Sequence, residues 1–122
     1  AVIVFEVLLN ATAMFNHSNV RIPLALDRII RWFIVTPDMH RVHHSILGHE
    51  TNSNFGFNLP LWDRLFGTYR DQPELGHEKM TIGIRDFRAP QQADRLAGML
   101  LIPFRGAVTD YAINRRDGRP AK

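Results

Sequence analysis

The chain has no cysteine among its 122 residues. This absence excludes a disulfide-stapled scaffold, a zinc site built on thiolates and an iron–sulfur cluster held by cysteine. A metal site in this chain would therefore use histidine and carboxylate ligands. An HExxH motif is also lacking, and no acidic residue lies between His40 and His44 to act as the base of a metalloprotease.

A block of basic residues is lacking as well. Lysine and arginine number 15 against 12 acidic residues, and the resulting net charge of +3 is spread along the sequence. Aromatic residues are not interleaved with a basic stripe, so we expect no nucleic-acid partner. The hydrophobic content of 45% argues against wholesale disorder, and the length allows one domain at most.

Long apolar runs are scarce, and the longest is AVIVFEVLLNATAMF at residues 1–15. A complete membrane span needs about 20 residues. The run lacks a preceding basic region and contains Glu6, so it is not a signal peptide. It is either a transmembrane helix truncated at its N-terminal side or a buried helix of a soluble bundle. Because the chain starts inside the run and without methionine, we favour the first interpretation and expect a fragment.

A second apolar helix is predicted from Ile22 to Val35, with Pro23 near its start. Three charges form one polar stripe on an otherwise apolar rod: Asp27, Arg28 and Arg31. This pattern favours a helix lying in a membrane interface. The alternative is a core helix with one solvent-facing side.

The most informative stretch is Thr36–Ser45, where Thr36 and Pro37 are typical of a helix start. Three of the six histidines follow within five residues: His40, His43 and His44. On a helix they lie at i, i+3 and i+4, which places them on one face. Neutral imidazoles grouped in this way suit a transition metal. The alternative is a solvated basic helix whose histidines have no function.

The rest of the chain is predicted as short helices and loops. Ile46–Phe57 is rich in Gly, Asn, Ser and Thr and is predicted as a loop. Leu59–Gly67 is predicted as a short amphipathic helix that ends at its glycine. Gln72–Arg88 lacks a sustained period and is predicted as an extended loop, whereas Gln91–Ile102 is predicted as a helix.

His17 is a fourth candidate ligand, because the chain can return from the second helix and bring it to the same pocket as His40. Adjacent side chains on a helix diverge by about 100°. His43 and His44 could therefore serve two different metals. A pair of metals held by imidazoles at a membrane face suggests oxygen chemistry rather than hydrolysis.

Four segments occur in an order that resembles the C-terminal half of the sterol desaturase and fatty acid hydroxylase superfamily. They are Asn16–Val20, Thr36–Ser45 with its HxxHH box, Thr51–Gly56 and the WDRLFGTY-containing Leu61–Tyr69. The resemblance covers roughly residues 1 to 90. Members of this superfamily are integral membrane, non-haem di-iron enzymes that use O₂ and externally supplied electrons on lipid substrates.

The resemblance implies that His17, His40, His43 and His44 are iron ligands. It implies an all-α architecture of transmembrane or interfacial helices with a cytosolic cap of short helices and loops. It also implies a lipid substrate, hydroxylated or desaturated at a C–H bond, and a cytochrome b5-like or ferredoxin-like electron donor. We expect an active site on the cytoplasmic side, in a bacterial inner membrane rather than the endoplasmic reticulum.

The departure from the superfamily pattern concerns the earlier histidine boxes, which are absent from these 122 residues. Four histidines do not complete an all-histidine di-iron centre, so we expect the chain by itself to bind iron poorly and to be inactive. The alternatives are a zinc hydrolase that uses the same histidines and an inactive membrane-associated structural fragment. We place the partial catalytic domain at residues 1–113 and a disordered basic tail at 114–122.

Four polar residues could accept the second ring N–H of a histidine ligand and fix its tautomer. They are Asn19, Asp38, Asn52 and Asn54. Their alternative roles are helix capping and turn formation.

Overall fold

The secondary structure of residues 1–84 and 86–105, which the computed structural model describes, is helical. These residues contain α1 Val2–Asn16, α2 Leu24–Ile30, α3 Pro37–His43, α4 Gly48–Thr51, α5 Leu61–Phe66, α6 Pro90–Ala93, α7 Leu96–Leu101 and a final 3₁₀ turn, Ile102–Phe104. Their only β-type pairing is an isolated antiparallel bridge between Ser45 and Ile82. The all-α prediction is confirmed for this part of the chain. The predicted tail at 114–122 and the domain end at 113 lie outside it.

Helix α1 contains 15 residues and ends where the sequence predicts, at Asn16. Most of its apolar side chains are exposed, including Ile3 and Phe5, while Asn16 is buried. In the described ranges no helix is both long enough and apolar enough to cross a membrane. The transmembrane helix therefore stays a prediction.

Helix α2 is half as long as predicted, because the chain leaves the helix after Ile30. The backbone N–H of Val35 donates to the carbonyl of Asn58, 3.0 Å away, which holds the chain in a different direction. Two of the three charges point inward, since Asp27 and Arg31 are each 1% exposed, whereas Arg28 is exposed. The apolar side chains of this segment face outward, Ile29 among them. A water-facing position, which both interpretations of this helix implied for its polar stripe, is therefore wrong for Asp27 and Arg31.

The buried ion pair between Asp27 and Arg31 on this segment is extended by a third group. The Nη1 atom of Arg31 donates to the side chain of Asp71 at 2.8 Å and to its backbone carbonyl at 2.6 Å. The pairing supplies the counter-charges that a buried guanidinium needs. It also ties the segment after α5 to α2.

The small core is centred on α3, with Val35, Met39 and Val42 as its buried apolar side chains. Asn54 is fully buried beside it and joins two segments. Its Nδ2 donates to the carbonyls of Met39 and Arg70, each at 2.9 Å, and its Oδ1 accepts from the Arg70 N–H at 2.8 Å. The carboxamide thereby substitutes for the backbone pairing that a sheet would provide.

Helix α5 is confirmed, and Gly67 ends it in the left-handed conformation with φ of 71°. Asp63 on this helix is buried and organises the preceding loop. Its carboxylate accepts from the N–H groups of Phe55 and Gly56 at 2.7 and 2.8 Å and from the hydroxyl of Thr68 at 2.7 Å. A Cβ on Gly56 would lie 2.6 Å from the Asp63 Oδ2, so only glycine fits this approach.

Two local predictions are corrected. The predicted loop at Ile46–Phe57 contains the one-turn helix α4, which begins after Leu47. The predicted helix at Gln91–Ile102 is divided into α6 and α7 at Asp94 and Arg95. The division lets Gly98 of α7 pack against α6, where a Cβ added to Gly98 would lie 2.3 Å from the carbonyl oxygen of Gln91. The predicted loop at Gln72–Arg88 contains no helix in its described residues.

Candidate metal centre

The histidine helix α3 forms from the start signal that the sequence predicts. The Thr36 hydroxyl accepts a hydrogen bond from the N–H of Met39 at 3.4 Å, and Pro37 occupies the first helical position. The helix runs to His43, with His44 as its C-terminal cap. One helical turn thus separates His40 and His44, whose Nε2 atoms lie 3.0 Å apart.

His17 lies at the C-terminal cap of α1, and α1 packs against α3. Its Nδ1 donates to the carbonyl of Ala13, one turn earlier in the helix, at 2.8 Å. In the neutral ring this bond leaves the lone pair on Nε2. That atom lies 3.2 Å from the Nε2 of His40 and 3.3 Å from the Nε2 of His44.

The three Nε2 atoms therefore form a nearly equilateral triangle, the arrangement that a shared metal requires. Ligand nitrogens bound to one metal at about 2.0–2.1 Å lie about 2.8–3.4 Å apart in octahedral or tetrahedral geometry. The observed separations of 3.0, 3.2 and 3.3 Å fall within this range. The donor set fits a transition ion without rearrangement of the backbone.

The electrostatics of the cluster favour neutral rings, which are the form that binds a metal. Burial lowers the pKa of His40 to about 4, with further lowering by His44, His17 and His43. Burial also lowers the pKa of His44, and His43 and His17 add to that effect. Because the neighbouring imidazoles disfavour protonation of His40 and His44, both rings keep a lone pair that can bind a metal ion.

His43 shares the cluster but is oriented differently. Its ring centroid lies 5.7 Å from that of His40 and 5.5 Å from that of His44. Its Nδ1 donates to the carbonyl of Ser53 at 3.0 Å, which leaves the Nε2 lone pair available in the neutral ring. Among the described residues, the histidines whose ligand atoms converge on one point are His17, His40 and His44. His43 stands beside that point.

The four polar residues expected around the ligands are placed in several roles. Asp38 pairs with Arg41 at 2.7 Å, and Asn54 clamps backbone segments. Asn19 lines a cavity next to the histidines, and Asn52 caps α4 through its backbone. Asp38 and Asn54 thus make their hydrogen bonds to Arg41 and to backbone groups, and a role of the four residues beside a bound metal stays a prediction.

Backbone carbonyls orient two of the four histidine rings. Ala13 holds the ring of His17 and Ser53 holds the ring of His43. Every residue carries a carbonyl, so the sequence alone gave no signal for either.

A cavity of about 380 Å³ opens beside the centre, with His17 and His44 in its wall. Its exposed wall consists mainly of carbon atoms, although most of its lining residues have polar side chains. Asn19, Arg41 and Ile82 border both this cavity and a more polar one of about 350 Å³. Arg21, Asp38 and Glu78 contribute charges of both signs to the second cavity. The first cavity, beside the histidines, is called the apolar chamber, and the second, which adjoins it, is called the charged chamber.

The chain was also compared with known protein families. The model of the fatty acid hydroxylase family matches residues 1–68. The chain belongs to the fatty acid hydroxylase family. The matched range contains all four histidines of the cluster. Family membership supports a lipid-hydroxylating oxidoreductase and agrees with the superfamily resemblance of the sequence motifs.

Two curated relatives align with shorter parts of the chain. One is the ornithine lipid hydroxylase OlsE of Rhizobium tropici, 50% identical over 61 residues, or 49% of this chain and 17% of the relative. The other is the alkylglycerol monooxygenase of Xenopus tropicalis, 40% identical over 45 residues, or 37% of this chain and 10% of the relative. The chain thus spans a small part of either relative. No solved structure matches it.

Proposed function

We propose that this chain is part of a membrane-bound, O₂-dependent enzyme that hydroxylates or desaturates a lipid at an iron centre. The observation that carries the proposal is the convergence of three Nε2 atoms within 3.3 Å of one another. They come from two helices that are far apart in the sequence. The name of the matching family and the names of both relatives support a lipid substrate.

In this proposal His17, His40 and His44 bind one iron of a di-iron centre, and His43 binds the second. The Nδ1–H of His43 is held by Ser53, so its other nitrogen is in the form that a metal accepts. The remaining ligands come from residues outside these 122. The chain by itself should therefore take up little iron, and tight uptake of two Fe(II) ions by the 122-residue polypeptide would contradict this part of the proposal.

Bound iron would supply the activation of O₂ that an unactivated C–H bond requires, with two electrons from an external donor and two protons. Hydroxylation would release one oxygen atom as water, and desaturation would release both. The residues of this chain provide the setting. Burial of His40 and the apolar wall near His44 limit access of water. Ala13 and Ser53 keep two rings in fixed tautomers. A cytochrome b5-like or ferredoxin-like protein fits the role of the donor.

The two adjoining cavities suit an amphiphilic substrate. The apolar chamber beside His17 and His44 would hold the hydrocarbon that reacts. The chamber that contains Arg21, Asp38 and Glu78 would hold a polar headgroup. One relative is named for an ornithine lipid and the other for an alkylglycerol, so a lipid with a polar headgroup is the substrate class that we propose.

The exposed apolar side chains of α1 and of the segment after α2 support attachment to a membrane. Phe5, Ile29 and Phe33 are each more than half exposed. Contact with lipid would remove such groups from water. We propose an integral membrane protein whose partial catalytic domain spans residues 1–113. Its active site would face the cytoplasm, in a bacterial inner membrane.

The test is product analysis on the natural gene product that contains these residues. Membranes that hold the protein are supplied with reduced donor, a lipid extract and ¹⁸O₂. A hydroxylase inserts one ¹⁸O atom and yields lipid that is heavier by about 18 mass units. A desaturase yields lipid that is lighter by two hydrogen atoms. His40→Ala should abolish either product, and Lys79→Ala, at an exposed position, should retain it. Equal product from the His40→Ala variant would contradict the proposal.

A further inference from the structure

Glu50 lies on α4, the short helix that follows the histidine helix α3. The residue is fully buried, although its carboxylate is a charged group by default. One oxygen, Oε1, accepts from the backbone N–H of Glu74 at 2.5 Å. The other, Oε2, has no hydrogen-bond partner among the described residues. A buried carboxylate with a single N–H donor is costly, and it calls for a cation or a proton.

Two further ligand groups lie next to this carboxylate. His49 precedes Glu50 on α4, and Glu74 lies on the turn that supplies the N–H donor. Within residues 1–84 and 86–105, these three residues form the second group whose ligand atoms all lie within 4.8 Å of one another. The Nε2 of His49 also lies 3.1 Å from a carboxylate oxygen of Glu74.

The geometry points to a divalent cation site formed by His49, Glu50 and Glu74, separate from the histidine cluster. One imidazole and two carboxylates favour a first-row transition ion, with zinc above manganese, over magnesium or calcium. The side chains of His49 and Glu74 are 41% and 63% exposed, so both can close on an ion while Glu50 stays in place. The site shares no residue with the iron ligands proposed above.

Such an ion would join α4 to the segment that covers one side of α3. Glu74 begins that segment, and Thr81 and Gly83 end it. The carbonyl of Thr81 accepts from Ile46 at 3.0 Å, and the N–H of Gly83 donates to the carbonyl of His44 at 2.8 Å. The ion would thus hold in place the backbone that contacts the last histidine of the cluster.

The experiment measures binding of Mn²⁺ to the purified natural gene product with its iron in place. Free Mn²⁺ is counted by electron paramagnetic resonance during a titration, and Zn²⁺ is then added as a competitor. We expect one Mn²⁺ per chain beyond the iron, displaced by Zn²⁺ and not by an equal concentration of Mg²⁺. His49→Ala and Glu74→Gln should each weaken Mn²⁺ binding at least tenfold with unchanged iron content.

Asp94→Asn is the matched control, since Asp94 is an exposed carboxylate that belongs to neither proposed metal site. This variant should bind Mn²⁺ as the wild type does. Absence of saturable Mn²⁺ binding, or equal binding by the His49→Ala variant, would overturn the site. Because iron content is measured on the same samples, failure of the proposed iron centre would be seen separately.

Discussion

The Nε2 atoms of His17 and His40 lie 3.2 Å apart, although 23 residues separate the two histidines in the sequence. Contact between α1 and α3 brings them together. Burial and the neighbouring imidazoles lower the pKa of His40, which favours its neutral ring. A metal ion bound here would give both nitrogens the same partner.

Removal of His17 should therefore weaken metal binding strongly. Loss of a residue that only orients a ligand costs about 10–100-fold in metal affinity, so His17→Ala should cost at least about 100-fold. Competition with a chelator on the natural gene product measures the change. Thr12→Ala is the matched control on α1, since its hydroxyl contacts Asn58 and not the cluster. Equal metal affinity of the His17→Ala variant and the control would remove His17 from the ligand set.

The metal-free protein should lose stability as the pH falls. Burial and the neighbouring imidazoles lower the pKa of His40 to about 4 in the folded chain, from its ordinary value of 6.5, and lower that of His44 as well. Between pH 6.5 and about 4 the unfolded chain therefore binds more protons than the folded chain does. The free energy of unfolding consequently falls as the pH is lowered through this range. Denaturation at pH 7.5 and pH 5 measures this loss. A His40→Asn variant should lose less, and an equal loss in both proteins would contradict the assignment.

The buried pair of Asp27 and Arg31 should show strong coupling in a double-mutant cycle. Truncation of one partner leaves the other charge buried without compensation, which costs about 3–5 kcal/mol. Asp27→Ala and Arg31→Ala should each destabilise the protein by this order, and the double variant by clearly less than their sum. The midpoint of denaturation reports the three values. Additive losses would mean that water reaches the pair.

Asp63 should matter far more to stability than an exposed acidic residue. Its carboxylate accepts three hydrogen bonds from the loop around Phe55 and from Thr68. Asp63→Asn places an amide N–H₂ against these donors and should cost about 2–4 kcal/mol. Glu78→Gln removes an exposed ion pair and should cost less than about 1 kcal/mol. Similar unfolding midpoints for the two variants would contradict the contribution assigned to Asp63.

The parts of the fold that follow local rules were predictable from the sequence. Thr36 and Pro37 start α3, and Gly67 ends α5, because capping depends on a few neighbouring residues. The spacing of His40 and His44 likewise determines their contact. His17 was a candidate because the chain can return from the second helix to the same pocket, and the superfamily resemblance implied the same role. The packing of the helices brings it within reach of both.

The parts that depend on distant residues were not predictable. The charges on α2 looked solvent-exposed, but Arg31 is buried against Asp71, which lies 40 residues later. The division between α6 and α7 falls at residues that carry no breaking signal, and it follows from the close approach of Gly98 to Gln91. The same limit applies to Ser53, whose carbonyl orients His43 through a contact that only the folded chain defines.

The most direct test of the account is the metal content of the natural gene product that contains these residues. Purification under conditions that retain metal, followed by metal analysis and Mössbauer spectroscopy, measures the iron bound per chain. The account predicts two non-haem irons per chain, retained in Lys79→Ala and lost in a His40→Ala/His44→Ala double variant. Zinc in place of iron would support a hydrolase, and iron retained in full by the double variant would contradict the assignment of the histidine cluster.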